Sequence, residues 1–226
     1  MAFQGFPAAA FEFYDGLEAD NTRAFWQANR DTFETCVKGP MEALCAELVD
    51  ADDAGDASFH LFRPYNDMRF AKNRPPYKTH QGAFRDTDGG AGQYLHLGGD
   101  GMLAGAGYYS MAKDQLARFR AAVDAERTGT DVAEIVAGLA GSGYSIGAMD
   151  ELKSAPRGYP KDHPRIELLR RKGLMASRSW PVARWMRTAE AVARVREALA
   201  GIEPLCTWLD AHVGPSTLPP DDAWGR

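Results

Sequence analysis

The stretch Tyr94-Leu95-His96-Leu97-Gly98-Gly99-Asp100-Gly101-Met102-Leu103-Ala104 decides the fold class of this chain. Two apolar runs flank a Gly-Gly-Asp-Gly sequence, which is typical of a tight turn between antiparallel strands. Residues 59–62 alternate in the manner of a strand, and residues 174–180 have an extended pattern. These patterns predict a central sheet that is mainly antiparallel.

Helical patterns lie on both sides of the predicted sheet. The clearest helix follows the Gly39-Pro40 break, where apolar side chains recur with the spacing of a core-facing helix: Met41, Leu44, Cys45, Leu48 and Val49. We expect Asn21 to cap an earlier helix and Asp131 to cap a later one, and residues 182–209 are also helical in pattern. Helices at both ends around a mainly antiparallel sheet predict the α+β class.

Composition and length predict a globular protein. The chain has 226 residues, of which 45% are hydrophobic and 25% charged, so we expect one α+β domain at 1–213 and a flexible, proline-containing tail at 214–226. The sequence has no long apolar window and no secretory signal at its start, which predicts a cytoplasmic location and no membrane association. Its three cysteines include no C-x-x-C pair and favour no disulfide.

Several well-known chemistries lack their motifs. There is no phosphate-binding P-loop, no zinc-protease motif and no nucleophile elbow. Gly105-Ala106-Gly107 begins like a dinucleotide fingerprint, but its extended context favours a strand of small residues. The five histidines are scattered along the chain, so no metal site and no cofactor is predicted.

Positive charge is concentrated in two segments of an acidic chain, whose net charge is −5. Residues 63–80, here called the first basic segment, carry five Lys and Arg residues against one Asp. Residues 153–172, the second basic segment, carry seven Lys and Arg residues against two acidic ones. This distribution suits a small anion better than a long polyanion, so nucleic acid is an unlikely partner.

The first basic segment has a pattern that chemistry can interpret in two ways. If residues 63–70 are extended, Arg63, Tyr65, Asp67 and Arg69 share one face, and Asp67 can orient the Arg69 guanidinium towards a phosphate or carboxylate. Alternatively, Asp67 and Arg69 form a structural ion pair while the other cations are solvated. The sequence leaves both interpretations open.

This segment resembles the signature R-x-x-R-D-x-R-F-x-x-[DN]-K-x-x-Y of a bacterial family catalogued as a domain of unknown function. The chain departs from it at Asn66 and Arg74, where the family usually has Arg and Lys. The resemblance extends to Phe3-x-Gly5-Phe6-Pro7, Asn21-x-Arg23-x-Phe25-Trp26, Pro156-Arg157-Gly158 and Pro204-Leu205-x-x-Trp208-Leu209. It implies membership of that family and no particular activity.

Our hypothesis is that the two basic segments form one cleft that binds a small phosphate- or carboxylate-bearing ligand. Eight residues are the expected ligand contacts: Arg63, Asp67, Arg69, Lys72, Tyr77, Lys78, Lys153 and Arg157. His80 and His163 are the candidates for acid–base catalysis, because imidazole titrates near neutrality. The sequence leaves open whether the protein is an enzyme. The alternatives are a non-catalytic protein-interaction or scaffold module and, less favoured, a nucleic-acid binder that uses Tyr65, Tyr77 and Tyr159 for stacking.

Overall fold

The computed structural model describes residues 2–49, 58–67, 74–87 and 89–219. These residues form two compact units that are interleaved along the chain. Unit 1 comprises the described residues of 1–85, 94–104 and 179–197, and unit 2 those of 86–93, 105–178 and 198–226. The first basic segment therefore belongs to unit 1 and the second to unit 2.

The architecture is α+β, as the sequence predicts. The described strands form an antiparallel sheet in the order β1-β2-β3-β4-β6-β5. Their bounds are β1 His60–Leu61, β2 His80–Asp86, β3 Gly92–Gly98, β4 Gly101–Tyr108, β5 Ser145–Gly147 and β6 Leu174–Pro181. The helices are α1 Ala8–Ala19, α2 Arg23–Ala28, α3 Arg30–Thr32, α4 Gly39–Leu48, α5 Lys113–Asp124, α6 Glu126–Gly141, α7 Ile166–Arg170 and α8 Glu190–His212, with a π-helical segment at Phe33–Lys38 and a 3₁₀ helix at Arg184–Arg187.

Unit 1 has an aromatic core that begins near its N-terminal end. In α1 the buried residues Ala10, Phe13, Tyr14 and Leu17 recur with helical spacing. The Phe13 ring contacts Tyr14 and Trp26 edge to face, at centroid distances of 5.1 and 5.8 Å. These contacts place the start of α2 against α1.

Gly5 lies between two phenylalanines near the start of the chain, in a place that only glycine can occupy. Phe3 and Phe6 are both buried, and the Phe6 N–H donates to the Met186 carbonyl at 2.8 Å. Gly5 has a φ of 112°, and a Cβ there would lie 2.1 Å from the Arg187 carbonyl carbon. Only glycine permits both this conformation and this close approach.

Unit 2 contains α5, α6, α7 and the C-terminal part of α8. Phe119, Val123 and Val132 of α5 and α6 are fully buried, and Trp208 of α8 packs edge to face on Phe119. The Trp208 indole N–H donates to the Thr128 carbonyl at 3.1 Å, which satisfies its polar atom inside the core.

The structure confirms the central hairpin, since β3 and β4 flank a turn at Gly99-Asp100. It also confirms the helix with Met41, Leu44, Cys45 and Leu48 buried. However, the expected break at Gly39-Pro40 is wrong, because the π-helical segment runs directly into α4. Pro40 lies in the first turn of α4 and has no N–H to donate to the preceding π-helical turn.

Two expected helix caps are wrong. The cap of α2 is Thr22, whose hydroxyl accepts from the Phe25 N–H at 3.2 Å, because the Asn21 amide is bonded elsewhere. Asp131 lies inside α6, which begins five residues earlier at Glu126. The helix therefore starts before the apolar pattern that indicated it.

The predicted domain at 1–213 and the flexible tail at 214–226 stay predictions. Of that tail, the structure describes residues 214–219. There Ser216 and Thr217 donate hydrogen bonds to the Asp114 carboxylate at the start of α5. These bonds hold the pKa of Asp114 well below its usual range, with the Thr217 N–H as the largest cause.

Within the described residues, the helices include none that is long and apolar enough to cross a membrane.

Candidate functional site

The first basic segment folds as a loop before β2 in unit 1. Tyr65 and Tyr77 form an isolated antiparallel bridge, in which the Lys78 N–H donates to the Pro64 carbonyl at 2.7 Å. Asn66, one of the departures from the family signature, donates its side-chain amide to the Pro75 carbonyl at 2.8 Å. The loop thus closes on itself through backbone groups.

Part of the predicted ligand set cannot be placed. Arg69 and Lys72 lie outside the described residues, so the proposed clamp at Arg69 stays a prediction. Asp67 is described, and it is not without an interaction partner. The extended arrangement that we expected for residues 63–70 is described only as far as residue 67.

Tyr77 is held by α2 and the residue before its cap. The Asn21 amide donates to the Tyr77 carbonyl and its oxygen accepts from the Tyr77 N–H, both at 3.0 Å. The Trp26 indole stacks on the Tyr77 ring with a centroid distance of 4.5 Å and an interplanar angle of 6°. One face of the Tyr77 ring is therefore covered, and Tyr77 positions the loop on which Lys78 lies.

Arg63 and Lys78 bring two cations together. The Lys78 ammonium donates to the Arg63 carbonyl at 2.9 Å and lies 5.3 Å from the centre of the Phe62 ring. Burial lowers the pKa of Lys78, and the neighbouring Arg63 charge lowers it further. With the described residues, neither side chain forms an ion pair.

His80, the first residue of β2, stacks on His96 of β3. The ring centroids are 4.4 Å apart and the rings are 13° from parallel. Burial lowers the pKa of both groups, that of His96 to about 4. The Lys78 charge also lowers the pKa of His80, while Asp100 opposes both shifts. Both imidazoles are therefore neutral near pH 7.

Gly98 makes room for this stack. A Cβ at Gly98 would lie 2.9 Å from an Asp100 carboxylate oxygen and 3.6 Å from the His80 Cβ. A larger residue would push Asp100 away from the two imidazoles. The β3–β4 turn therefore sets where the carboxylate lies.

A pocket of about 300 Å³ opens beside His96 in unit 1. Its wall is formed by residues of β3, β4, β6 and the β3–β4 turn, and it includes the polar residues Asp100 and Ser179. The complete lining is His96, Asp100, Gly101, Met102, Leu103, Ser179, Trp180 and Pro181. A volume of this size suits a small ligand.

His163, the other acid–base candidate, is committed to contacts within unit 2. Its Nδ1 accepts from the Arg165 backbone N–H at 3.0 Å, so its Nε2 carries the hydrogen and donates to Asp124 at 3.1 Å. The side chain is only 8% exposed. With both ring nitrogens bonded, His163 serves the structure of its loop.

Other cations of the second basic segment have internal partners too. Arg165 donates to the Val123 and Asp124 carbonyls at 2.7 and 2.9 Å. Arg170 donates to the Leu152 carbonyl, and Lys172 pairs with Asp150. The predicted ligand residues Lys153 and Arg157 are exposed, and they have no bonds to the described residues. We predicted that Lys153 and Arg157 join the first basic segment in one cleft, and this stays a prediction.

A family model described as a conserved hypothetical protein (DUF2461) matches residues 9–208. The chain belongs to the DUF2461 family. No curated protein and no solved structure matches it. The DUF2461 match spans most of the described residues of both units and includes the first basic segment, the histidine stack and the pocket. It confirms the predicted membership of a family of unknown function.

The structure of this DUF2461 member joins segments that the sequence analysis treated separately. Asn21 and Trp26 support Tyr77, which is more than fifty residues further along the chain. The analysis missed His96, Asp100 and Trp180 as site residues. One signal was present for His96, because it alternates with the buried Leu95 and Leu97 in a predicted strand. For Trp180 no local pattern indicated the site.

Proposed function

We propose that this protein binds a small phosphate- or carboxylate-bearing anion in unit 1. The proposed site is the basic cluster, which consists of Arg63, Lys78 and His80. The observation that carries the proposal is the adjacency of Lys78 and Arg63, with no ion pair from either side chain to a described carboxylate. The exposed Arg63 charge lowers the pKa of the half-buried Lys78, and an anion between the two cations would offset this repulsion.

Lys78 is oriented for such contact. An ammonium has three N–H donors, and the Arg63 carbonyl takes one, so two remain for a ligand oxygen. The Arg63 guanidinium is exposed and supplies a planar fork that matches phosphate and carboxylate. Arg69, Lys72, Asp67 and Tyr77 remain proposed contributors from the same loop.

A catalytic role is part of the proposal only through His80. Its neutral imidazole, lowered in pKa by burial and by Lys78, has the protonation state of a general base near neutral pH. His163 has both ring nitrogens engaged and is not proposed for this role. We also propose a cytoplasmic location, which the three free cysteines support.

Calorimetric titration with inorganic phosphate and with citrate tests the proposal, using Lys78→Met and the matched control Lys113→Met. Lys113 is exposed at the start of α5, and its side chain forms no hydrogen bond or ion pair with the described residues. We expect Lys78→Met to weaken binding by at least about tenfold, a loss of about 1.4 kcal/mol, and Lys113→Met to leave it unchanged. Equal binding by wild type and Lys78→Met would refute the site.

Nucleic-acid binding is the weaker alternative for the same segment. Of the three tyrosines expected to stack on bases, Tyr77 has one face covered by Trp26, and Tyr159 contacts His163 in unit 2. Tyr65 is 52% exposed. A steep fall in affinity for a single-stranded oligonucleotide with rising salt would favour this alternative.

A further inference from the structure

The pocket beside His96 differs in character from the basic cluster. Asp100 is the charged side chain of its lining, and the rest is aromatic, aliphatic, imidazole or hydroxyl. The Asp100 carboxylate repels an anion, whereas it accepts hydrogen bonds from N–H and O–H donors. The His96 ring offers a flat surface on which a planar ring can stack. The pocket therefore suits a ring with hydrogen-bond donors.

The histidine stack connects the basic cluster with the pocket. His80 lies on β2 and His96 on β3, and the pocket continues over β4 to Ser179 and Trp180 of β6; these four strands are neighbours in the sheet. The Lys78 charge acts on His80, while Asp100 acts on both imidazoles. A cation and a carboxylate therefore both act on the histidine stack.

We propose that this site takes a bipolar small molecule, a phosphate- or carboxylate-bearing compound with a heteroaromatic ring that has an N–H donor. This inference rests on the proposed function for the anionic group, which binds Arg63 and Lys78. The ring lies in the pocket against His96 and donates to the Asp100 carboxylate. The His80–His96 stack forms the surface between the two ends.

Asp100 decides the orientation of such a ligand. With its anionic group in the pocket, the ligand would meet a carboxylate and lose the two cations. With its ring in the pocket, every formal charge has an opposite partner and the N–H donor has an acceptor. A neutral His96 adds one donor and one acceptor at the pocket wall.

The probes are the four ribonucleoside monophosphates, their nucleosides and ribose 5-phosphate, measured by calorimetry with the full chain. We expect at least one monophosphate to bind about tenfold or more tightly than both its nucleoside and ribose 5-phosphate. Ribose 5-phosphate carries the anion alone and the nucleoside the ring alone, so the comparison separates the two ends.

Two variants of pocket residues assign the ring end. Asp100→Asn is expected to remove the advantage of the monophosphate over ribose 5-phosphate while leaving ribose 5-phosphate binding unchanged. Trp180→Phe is expected to reduce the same advantage by a smaller factor than Asp100→Asn does. The control is Asp131→Asn, on the exposed surface of α6, which should change neither. Thermal melts of each variant establish that it is folded.

The outcomes separate this inference from the proposed function. If ribose 5-phosphate binds in a Lys78-dependent manner and no monophosphate binds more tightly, the inference is overturned and the anion site stands. If a nucleoside binds as tightly as its monophosphate and Lys78→Met has no effect, the anion site is overturned. If Asp100→Asn weakens ribose 5-phosphate and monophosphate by the same factor, the placement of the ring is wrong.

Discussion

The two basic segments have similar charge but differ in what their cations contact. In the second segment, Arg165 and Arg170 donate to backbone carbonyls, and Lys172 pairs with a carboxylate. In the first, Arg63 and Lys78 lie beside each other, and neither pairs with a described carboxylate. The internal hydrogen bonds of the second basic segment fix loops in unit 2. The cations of the first basic segment keep N–H donors available for a ligand.

This difference shows that a local surplus of charge does not by itself indicate a binding site. A guanidinium that satisfies buried carbonyls contributes to stability, and its donors are no longer available to a ligand. Cations that repel each other in a partly buried place are the better indication of a site. The predictions below test this contrast by mutation, in decreasing order of the expected effect.

Arg165→Met should give the largest loss of stability. The Arg165 side chain is 10% exposed, and its removal leaves the Val123 and Asp124 carbonyls without their donor. We expect a loss of about 3 kcal/mol in the free energy of unfolding, measured by urea denaturation. The matched change Arg63→Met in the first segment should cost less than about 0.5 kcal/mol. Similar losses at both positions would remove the contrast between the segments.

The histidine stack should make stability depend on pH. The pKa of His96 is lowered to about 4 by burial first and by His80 second, with Asp100 opposing. Because this lies below the unfolded value, acidification protonates the unfolded chain first and destabilises the fold. Between about pH 7.5 and about pH 5 we expect a loss of about 2 kcal/mol from His96.

Urea melts at both pH values measure this loss, with His96→Gln as the comparison. The unfolding free energy of this variant should depend less on pH than that of wild type, although His80 still contributes in the same direction. The edge of the Tyr94 ring also faces His96, at a centroid distance of 6.2 Å. An unchanged slope in His96→Gln would mean that His96 does not titrate as the structure indicates.

Lys78→Met should alter ligand response more than intrinsic stability. At a tenfold excess of phosphate over its Kd, wild type should gain about 1.4 kcal/mol in unfolding free energy, and the variant should gain almost none. Thermal melts with and without phosphate measure this, with Lys113→Met as the control. A large loss in the absence of phosphate would instead indicate that Lys78 braces the loop.

The smallest effects are expected at Lys153 and Arg157, the exposed members of the second segment. Replacing either with Met should change the unfolding free energy by less than about 0.5 kcal/mol. If these two residues join the first segment in binding an anion, the same variants should weaken phosphate binding. Calorimetry with phosphate therefore also tests the predicted convergence of the two segments.

The sequence by itself determined the features that depend on near neighbours. Its turn residues and apolar spacing predicted the β3–β4 hairpin and the buried face of α4, because both depend on contacts within one element. It also marked the first basic segment as the part to test. It misplaced the caps at Asn21 and Asp131, since a favourable capping residue has competing partners that only packing supplies.

Tertiary structure decided which charged and polar groups have partners. Asn21 bonds Tyr77 and Arg165 bonds Val123, contacts that join residues 56 and 42 positions apart. The stack of His80 on His96 requires β2 to pair with β3, and the approach of Trp180 to the same pocket requires β6, which is distant in sequence, to lie beside β4. Hydrogen bonds and burial depend on three-dimensional distance, so local spacing reveals where positive charge is concentrated and only the fold reveals which of it remains available.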